Sequence, residues 1–254
     1  LDLWQHHDQG TMEVEISRGK RYFPGWNVAR WWLSADAFQR NPERTLANLE
    51  AGLQTFSRHG IRVMPVLFNR WHDVLCDFGG VYLEHFTPEQ DWLLGGGPDL
   101  FARAGREPQE PCAPVERLHR SYLEAVVGAH RDDARIFAWD LCNEPLIGPY
   151  ITDNASPVLA AELRWLGWCR ETCRRAGAGQ PLTIGNSAIL RCLELTEPLC
   201  DFLSFHPYWM WNVPGTSRAA FEALLDECVA FAQARGKALL ASETVWGAVE
   251  DGQR

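Results

Sequence analysis

The chain has 254 residues, 46% of them hydrophobic, and a formal net charge of -9. That length suits one domain, expected over residues 1–254, with a sizeable core. The acidic balance excludes nucleic acid as a partner, because phosphate binding needs a basic surface, and no run reaches the ~20 apolar residues of a membrane span.

In chain order, strand-like runs alternate with helix-like runs, the pattern of a parallel α/β fold. Thr11 to Phe23 has two readings: Met12, Val14 and Ile16 alternate as in a strand, while Met12, Ile16 and Phe23 suit a helix face. A helix is the expectation. Asn27 to Leu33 reads as a strand carrying Arg30. Pro42 to His59 reads as a helix, with Asn41 as N-cap, Pro42 at its first position and Gly60 just past its end. Ile61 to Phe68 is the next strand. From Asn69 to Val115 runs a long insertion rich in Gly (Gly95, Gly96, Gly97) and aromatics (Trp71, Tyr82, Phe86, Trp92). Structureless connections of this length are uncommon and often functional. Following a strand end, it would cover the C-terminal face of a barrel. Arg117 to His130 reads as a helix.

The segment Ile136 to Pro145, IFAWDLCNEP, carries the strongest signal. An apolar strand-like run ends in an amide, a carboxyl group and a chain-breaking proline. Strand period 2 puts Ile136, Ala138, Asp140, Cys142 and Glu144 on one face and Phe137, Trp139 and Leu141 on the other. The bulky face suits packing under helices, and the small, polar face suits a barrel interior. A carboxyl group at the C-terminal tip of such a strand sits where parallel α/β folds place their chemistry.

Farther along, Pro157 to Arg175 reads as a helix capped by Ser156 and ended near Gly177. Leu182 to Gly185 and Asp201 to His206 read as strands, the latter with His206 and Tyr208 on one face. Arg218 to Arg235 reads as a helix ended by Gly236, and Ala238 to Ser242 as the last strand. It leads directly into Glu243. Two carboxyl groups on two strand tips, Glu144 and Glu243, are the minimum set for cleaving a glycosidic bond with retention.

These are six strands at barrel spacing, whereas a closed (β/α)8 barrel needs eight. Only eleven residues follow Glu243, too few for another helix and strand. The expected fold is therefore α/β, a (β/α)8 TIM barrel with its first and eighth strands missing from this chain.

The run Trp139 to Pro145 resembles the acid/base signature of the retaining, cellulase-like (β/α)8 glycosidases of glycoside hydrolase family 5 and its relatives. Four more segments match in order. Asn27 to Arg30 resembles the second-strand motif whose Arg steadies the nucleophile. His59 to Phe68 resembles the third strand and its lead-in. Phe205 to Tyr208 resembles the sixth-strand motif, and Ser242 to Gly247 resembles the seventh-strand nucleophile motif. Together they cover residues 26 to 247. Leu3-Trp4-Gln5 resembles a segment that follows the first strand in such enzymes. The chain departs from the pattern at Asn69, where a His is common and His72 lies nearby. It also has no counterpart of the eighth-strand Trp that often floors the sugar site.

The resemblance implies that Glu144 donates a proton to the leaving oxygen and that Glu243 attacks the anomeric carbon. Arg30 and Tyr208 would keep Glu243 charged, Asn143 would bond the sugar 2-hydroxyl, and His206 would bond a sugar hydroxyl or orient Glu144. Asn69 and Trp246 join the expected substrate-binding set. The implied partner is an oligo- or polysaccharide with β-linkages, of the cellulose, mannan or xylan class, with no cofactor. A carbohydrate-binding pseudoenzyme and a transglycosylase using the same pair are the alternatives.

Of the 12 Trp residues, Trp71, Trp92, Trp209, Trp211 and Trp246 are candidates to line sugar subsites, against core or loop packing. His72, Cys76 and His85 match no standard metal spacing, and no metal is expected. The eight Cys include no CxxC pair. Cys169 and Cys173, one helical turn apart, are poorly placed for a mutual disulfide. Buried free thiols are the expectation, with one or two disulfides in an exported protein as the alternative. Unpatterned cysteines favour the cytoplasm, but the chain starts at Leu1 without a signal segment or an initiating Met, so the compartment stays open.

Overall fold

A computed structural model describes residues 4, 7–70, 114–146, 148–208 and 217–244. The helices are α1 (Gln9–Tyr22), α2 (Ala35–Arg40), α3 (Pro42–Arg58), α4 (Pro114–Ala129), α5 (Pro157–Arg175), α6 (Leu190–Thr196) and α7 (Arg218–Ala234). The strands are β1 (Val28–Trp32), β2 (Arg62–Asn69), β3 (Trp139–Asn143), β4 (Leu182–Ser187), β5 (Leu203–His206) and β6 (Leu239–Ala241). Short 3-10 turns cover Pro149–Thr152 and Glu197–Leu199.

Local chemistry sets the helix ends. Asn41 accepts from the Arg44 amide at 3.0 Å ahead of Pro42. Ser156 accepts from Leu159 at 3.3 Å and Ser217 from Ala220 at 3.1 Å. Each cap satisfies an amide that the first helical turn leaves unpaired. Gly60 follows α3 with φ +67, a backbone shape that favours glycine. The segment from Thr11 is helical as far as Tyr22, with Asp8 as the N-cap and Phe23 as the C-cap of α1. Two helices stand where none was expected. α2 and α6 have six and seven residues, below the window in which a 3.6-residue period can be read.

All five strand pairs are parallel, in the order β1-β2-β3-β4-β5-β6. In a flat sheet, five spacings of ~4.8 Å would set β1 about 24 Å from β6. Yet Arg30, on β1, reaches Glu243, just beyond β6, at 2.8 Å. The sheet is therefore curled into part of a TIM barrel, as expected. Among the described residues, β1 and β6 do not pair with each other. The fold matches the six-strand expectation. The long insertion lies almost wholly outside the described residues, although β2 extends to Asn69 and α4 begins at Pro114.

The core lies between the curled sheet and the helices around it. Leu49 and Leu53 from α3, Tyr122 and Val126 from α4, and Leu166 and Cys169 from α5 pack with Val63, Leu67, Trp139 and Leu141 from the strands. Tyr122 is fully buried and donates its hydroxyl to the Leu67 carbonyl at 3.0 Å, so the polar tip costs little. The described cysteines, Cys142, Cys169, Cys173, Cys192, Cys200 and Cys228, are free and buried. Burial raises their thiol pKa values. Among the described residues, no helix is long and apolar enough to cross a membrane.

One expectation fails in an informative way. Period 2 put Cys142 beside Asp140 in the barrel interior, but Cys142 joins the outer core with Trp139 and Leu141. The register between β3 and β4 shifts between Asp140 and Asn143. β2 follows the same shift: Leu67 and Phe68 both lie in the outer core, and the Phe68 ring meets Tyr122 and Trp165. Such an irregularity adds a residue and re-aims the side chains beyond it. Its effect here is to return Asn69 and Asn143 to the interior, where the Asn143 amide donates to Asn69 Oδ1 at 2.9 Å.

Candidate active site

Seven of the eight expected site residues converge at the C-terminal ends of the strands. Arg30 is central in β1, Asn69 ends β2, Asn143 ends β3 with Glu144 next, and His206 ends β5 with Tyr208 two residues on. Glu243 stands two residues beyond β6. Trp246 lies outside the described residues, as do Trp71, His72, Cys76, His85, Trp92, Trp209 and Trp211.

Hydrogen bonds link Arg30, Asn69, Asn143, Tyr208 and Glu243 in one group and His206 with Glu144 in a second, and the two groups meet where His206 faces Glu243. Arg30 Nη1 donates to Glu243 Oε2 at 2.8 Å, and Nη2 donates to Asn143 Oδ1 at 2.8 Å. Asn143 passes the chain to Asn69. Tyr208 donates its hydroxyl to Glu243 Oε1 at 2.5 Å. Burial first, then the bond to Glu243, push the Tyr208 pKa well up, so the phenol remains a donor at neutral pH. His206 Nδ1 lies 2.8 Å from Glu144 Oε1 and 3.8 Å from Glu243 Oε2. Those two oxygens are thus no farther apart than the sum of the two distances.

Glu144 sits in an unusual backbone. Its φ is +44 and that of Leu146 is +62. Left-handed φ is uncommon for side chains other than Gly, and the residue before a proline normally prefers extended conformations. The turn is tied by the Glu144 amide donating to the Gly185 carbonyl at 2.7 Å. His206 is almost fully buried, and its Nε2 has no hydrogen-bond partner among the described residues. Its Nδ1 can donate to a Glu144 carboxylate or accept from a Glu144 carboxylic acid.

Two residues of the cluster were not singled out in the sequence. Asp140, fully buried, accepts from Arg30 Nε at 3.0 Å and Nη2 at 2.8 Å. Its other oxygen accepts from the Gly185 and Cys142 amides at 3.0 and 3.2 Å. An Asp placed with Arg30 on the interior face was the available signal. Gly185 gave none, since its surroundings come from distant strands.

A separate group, Glu50, His130 and Asp133, brings potential metal-ligating atoms within 4.8 Å of one another. Both carboxylates there are bound by the Arg135 guanidinium at 2.6 to 2.9 Å, so a cation already fills the cluster.

An open parallel β/α barrel with two carboxyl groups at its C-terminal rim has the architecture of the (β/α)8 glycosidases. The motif resemblance to glycoside hydrolase family 5 is supported by relatives in sequence and in structure. No family model matches the chain. The chain is 29% identical over 102 residues to the "Probable mannan endo-1,4-beta-mannosidase A-2" of Aspergillus terreus, a match covering 39% of this chain and 21% of that protein. The chain thus spans about a fifth of the length of the curated relatives it matches. Among solved structures it resembles the endo-1,4-β-mannanase of Rhizomucor miehei, with TM-score 0.65 and 18% identity over 96% of this chain and 75% of that one. The exo-β-1,4-mannosidase Op5Man5 of Opitutaceae bacterium strain TAV5 gives TM-score 0.66 and 18% identity over 94% and 42%. A family 5 mannosidase of Rhizomucor miehei, solved with mannosyl-fructose, gives 0.60 and 15% over 91% and 62%. At these identities the structural likeness is one of fold.

Proposed function

We propose that this chain carries the active site of a retaining glycoside hydrolase that cleaves β-mannosidic bonds in oligo- or polysaccharides. The observation that supports the reading most directly is the meeting of Glu144 and Glu243 at one His206 nitrogen. The ceiling this sets on their separation falls at the bottom edge of the ~6.5–9.5 Å used by inverting enzymes and includes the ~5 Å of retaining ones. The surroundings of the two groups differ. Glu243 accepts from Arg30 and from Tyr208, which hold both of its oxygens in place, the orientation that a nucleophile needs. Glu144 meets the adaptable imidazole of His206.

In the first step Glu243 forms a bond to the anomeric carbon while Glu144 gives its proton to the departing oxygen. The covalent intermediate removes the charge on Glu243. Glu144, now ionised, takes a proton from water, which attacks the same carbon and releases Glu243. The choice of mannose rests on the names of the sequence relatives, which are mannan endo-1,4-β-mannosidases.

The test is turnover of a panel of aryl β-glycosides by the full chain, with the product anomer read by NMR. Fast release from the β-mannoside and a first-formed β-hemiacetal are expected. An α-product would overturn retention. Binding of mannooligosaccharides without turnover would favour the pseudoenzyme, and dominant transfer to an added acceptor sugar would favour a transglycosylase.

A further inference from the structure

We propose that Glu162, with Arg70 and Tyr150, is a positioning residue for the Glu144 carboxyl group and acts through the turn that carries it. The inference rests on Glu144 being the proton donor and deepens that reading by naming what aims it.

Three donors from three segments converge on the Glu162 carboxylate. Arg70, the residue after β2, donates Nε to Oε1 at 3.0 Å. The Leu146 amide donates to the same oxygen at 3.0 Å. The Tyr150 hydroxyl donates to Oε2 at 2.7 Å. Burial and the Glu162 charge push the Tyr150 pKa up, so its hydroxyl keeps its proton. The Glu162 side chain is fully buried and that of Arg70 nearly so.

A buried ion pair is a poor way to gain stability, since apolar residues of the same volume often do as well or better. The network is better explained by what it holds. Glu144 and Leu146 flank Pro145 with positive φ, and such strain persists only where the surroundings over-determine it. On one side the Glu144 amide is tied to Gly185, and the Asn143 carbonyl accepts from the Arg70 amide at 3.0 Å. On the other side the tie is Glu162 to Leu146. The Leu146 side chain is fully buried with Ile151, Leu159 and Cys192. Arg70 therefore grips both ends of the arrangement, one by its backbone and the other through Glu162. Freed of Glu162, the turn can relax toward ordinary φ, which would swing the Glu144 carboxyl away from His206.

The experiment compares Glu162→Ala and Tyr150→Phe with the wild-type full chain and with Glu144→Ala, using dinitrophenyl and methylumbelliferyl β-mannosides. In the glycosylation step, which kcat/KM reports, a misplaced acid harms only substrates whose leaving group needs a proton. The expected loss of kcat/KM on the methylumbelliferyl substrate is about 10-fold or more for Glu162→Ala and about 3-fold for Tyr150→Phe, within the reach of a general acid. Glycosylation by the dinitrophenyl substrate is expected to stay within about 2-fold. Equal losses on both substrates, or none in either variant, would overturn the proposal. Tyr150→Phe carries the test where Glu162→Ala does not fold. Crystal structures of the variants give a readout independent of activity. Loss of the 2.8 Å contact between Glu144 and His206 is expected, and an unmoved Glu144 would overturn the inference. Failure of the functional reading looks different: Glu144→Ala would then show no leaving-group dependence, or the wild type no turnover.

Discussion

Gly185 lies directly against Arg30: a Cβ built on the glycine would stand 2.7 Å from the guanidinium Nη2. The same carbon would meet Asp140 Oδ2 at 2.7 Å and His206 Nε2 at 2.9 Å. The glycine is required by the side chains that cross it. Gly185→Ala is expected to cost about 1–3 kcal/mol of stability, the usual scale of overpacking. It should also lower kcat more than it raises KM, because a displaced Arg30 loosens Glu243. Thermal unfolding and steady-state kinetics check both, and unchanged values would mean that the cluster yields freely.

Asp140→Ala removes the fully buried partner of Arg30. Breaking a buried ion pair by deleting one member costs ~3–5 kcal/mol. The lower end is expected here, since Glu243 and Asn143 still hold the guanidinium. Urea unfolding measures it. A loss below about 1 kcal/mol would show that solvent reaches Arg30 once the carboxylate is gone.

The two glutamates are separable by kinetics. Glu243→Ala is expected to abolish turnover of every substrate. Glu144→Ala is expected to lose ~10²–10⁴-fold on poor leaving groups yet still release dinitrophenol in a burst followed by a slow phase. Azide should speed the slow phase and yield a β-glycosyl azide. An α-glycosyl azide from this variant would mean that the roles are reversed or the mechanism wrong.

Away from the site, hydrogen bonds from Arg135 hold both the Glu50 and Asp133 carboxyl groups below the usual carboxylate range. A depressed folded-state pKa contributes stability that is present above the unfolded value and lost as pH falls through the folded one. Arg135→Gln should flatten the acid limb of the stability profile below about pH 4.5. It should cost under about 1 kcal/mol at neutral pH, because the Glu50 side chain is 42% exposed and its charge is screened by solvent. An unchanged acid limb, followed by circular dichroism across that window, would assign the pH dependence to other carboxylates.

Much of the site was legible because its signals are local. Glu144 and Glu243 each end an apolar run, and Arg30 interrupts one. The common facing of Asp140 and Asn143 was not legible, because it depends on a register shift of β3 against β4 that no Gly or Pro within β3 marks. Glu162 did leave a trace. It falls on the stripe of α5 formed by Leu159, Leu166, Cys169 and Cys173, all buried, and a charge on an apolar stripe implies a partner. Gly185 left none, since Arg30, Asp140 and His206 reach it from three other strands.

The bond between Arg30 and Glu243 joins residues 213 positions apart in sequence. Closing so long a loop is slow relative to local folding. On a ribosome, β1 to β4 can assemble while the segment bearing Glu243 is still in the exit tunnel. Glu144 therefore emerges well ahead of Glu243, and a nascent chain holds one carboxyl group of the pair before it gains the other.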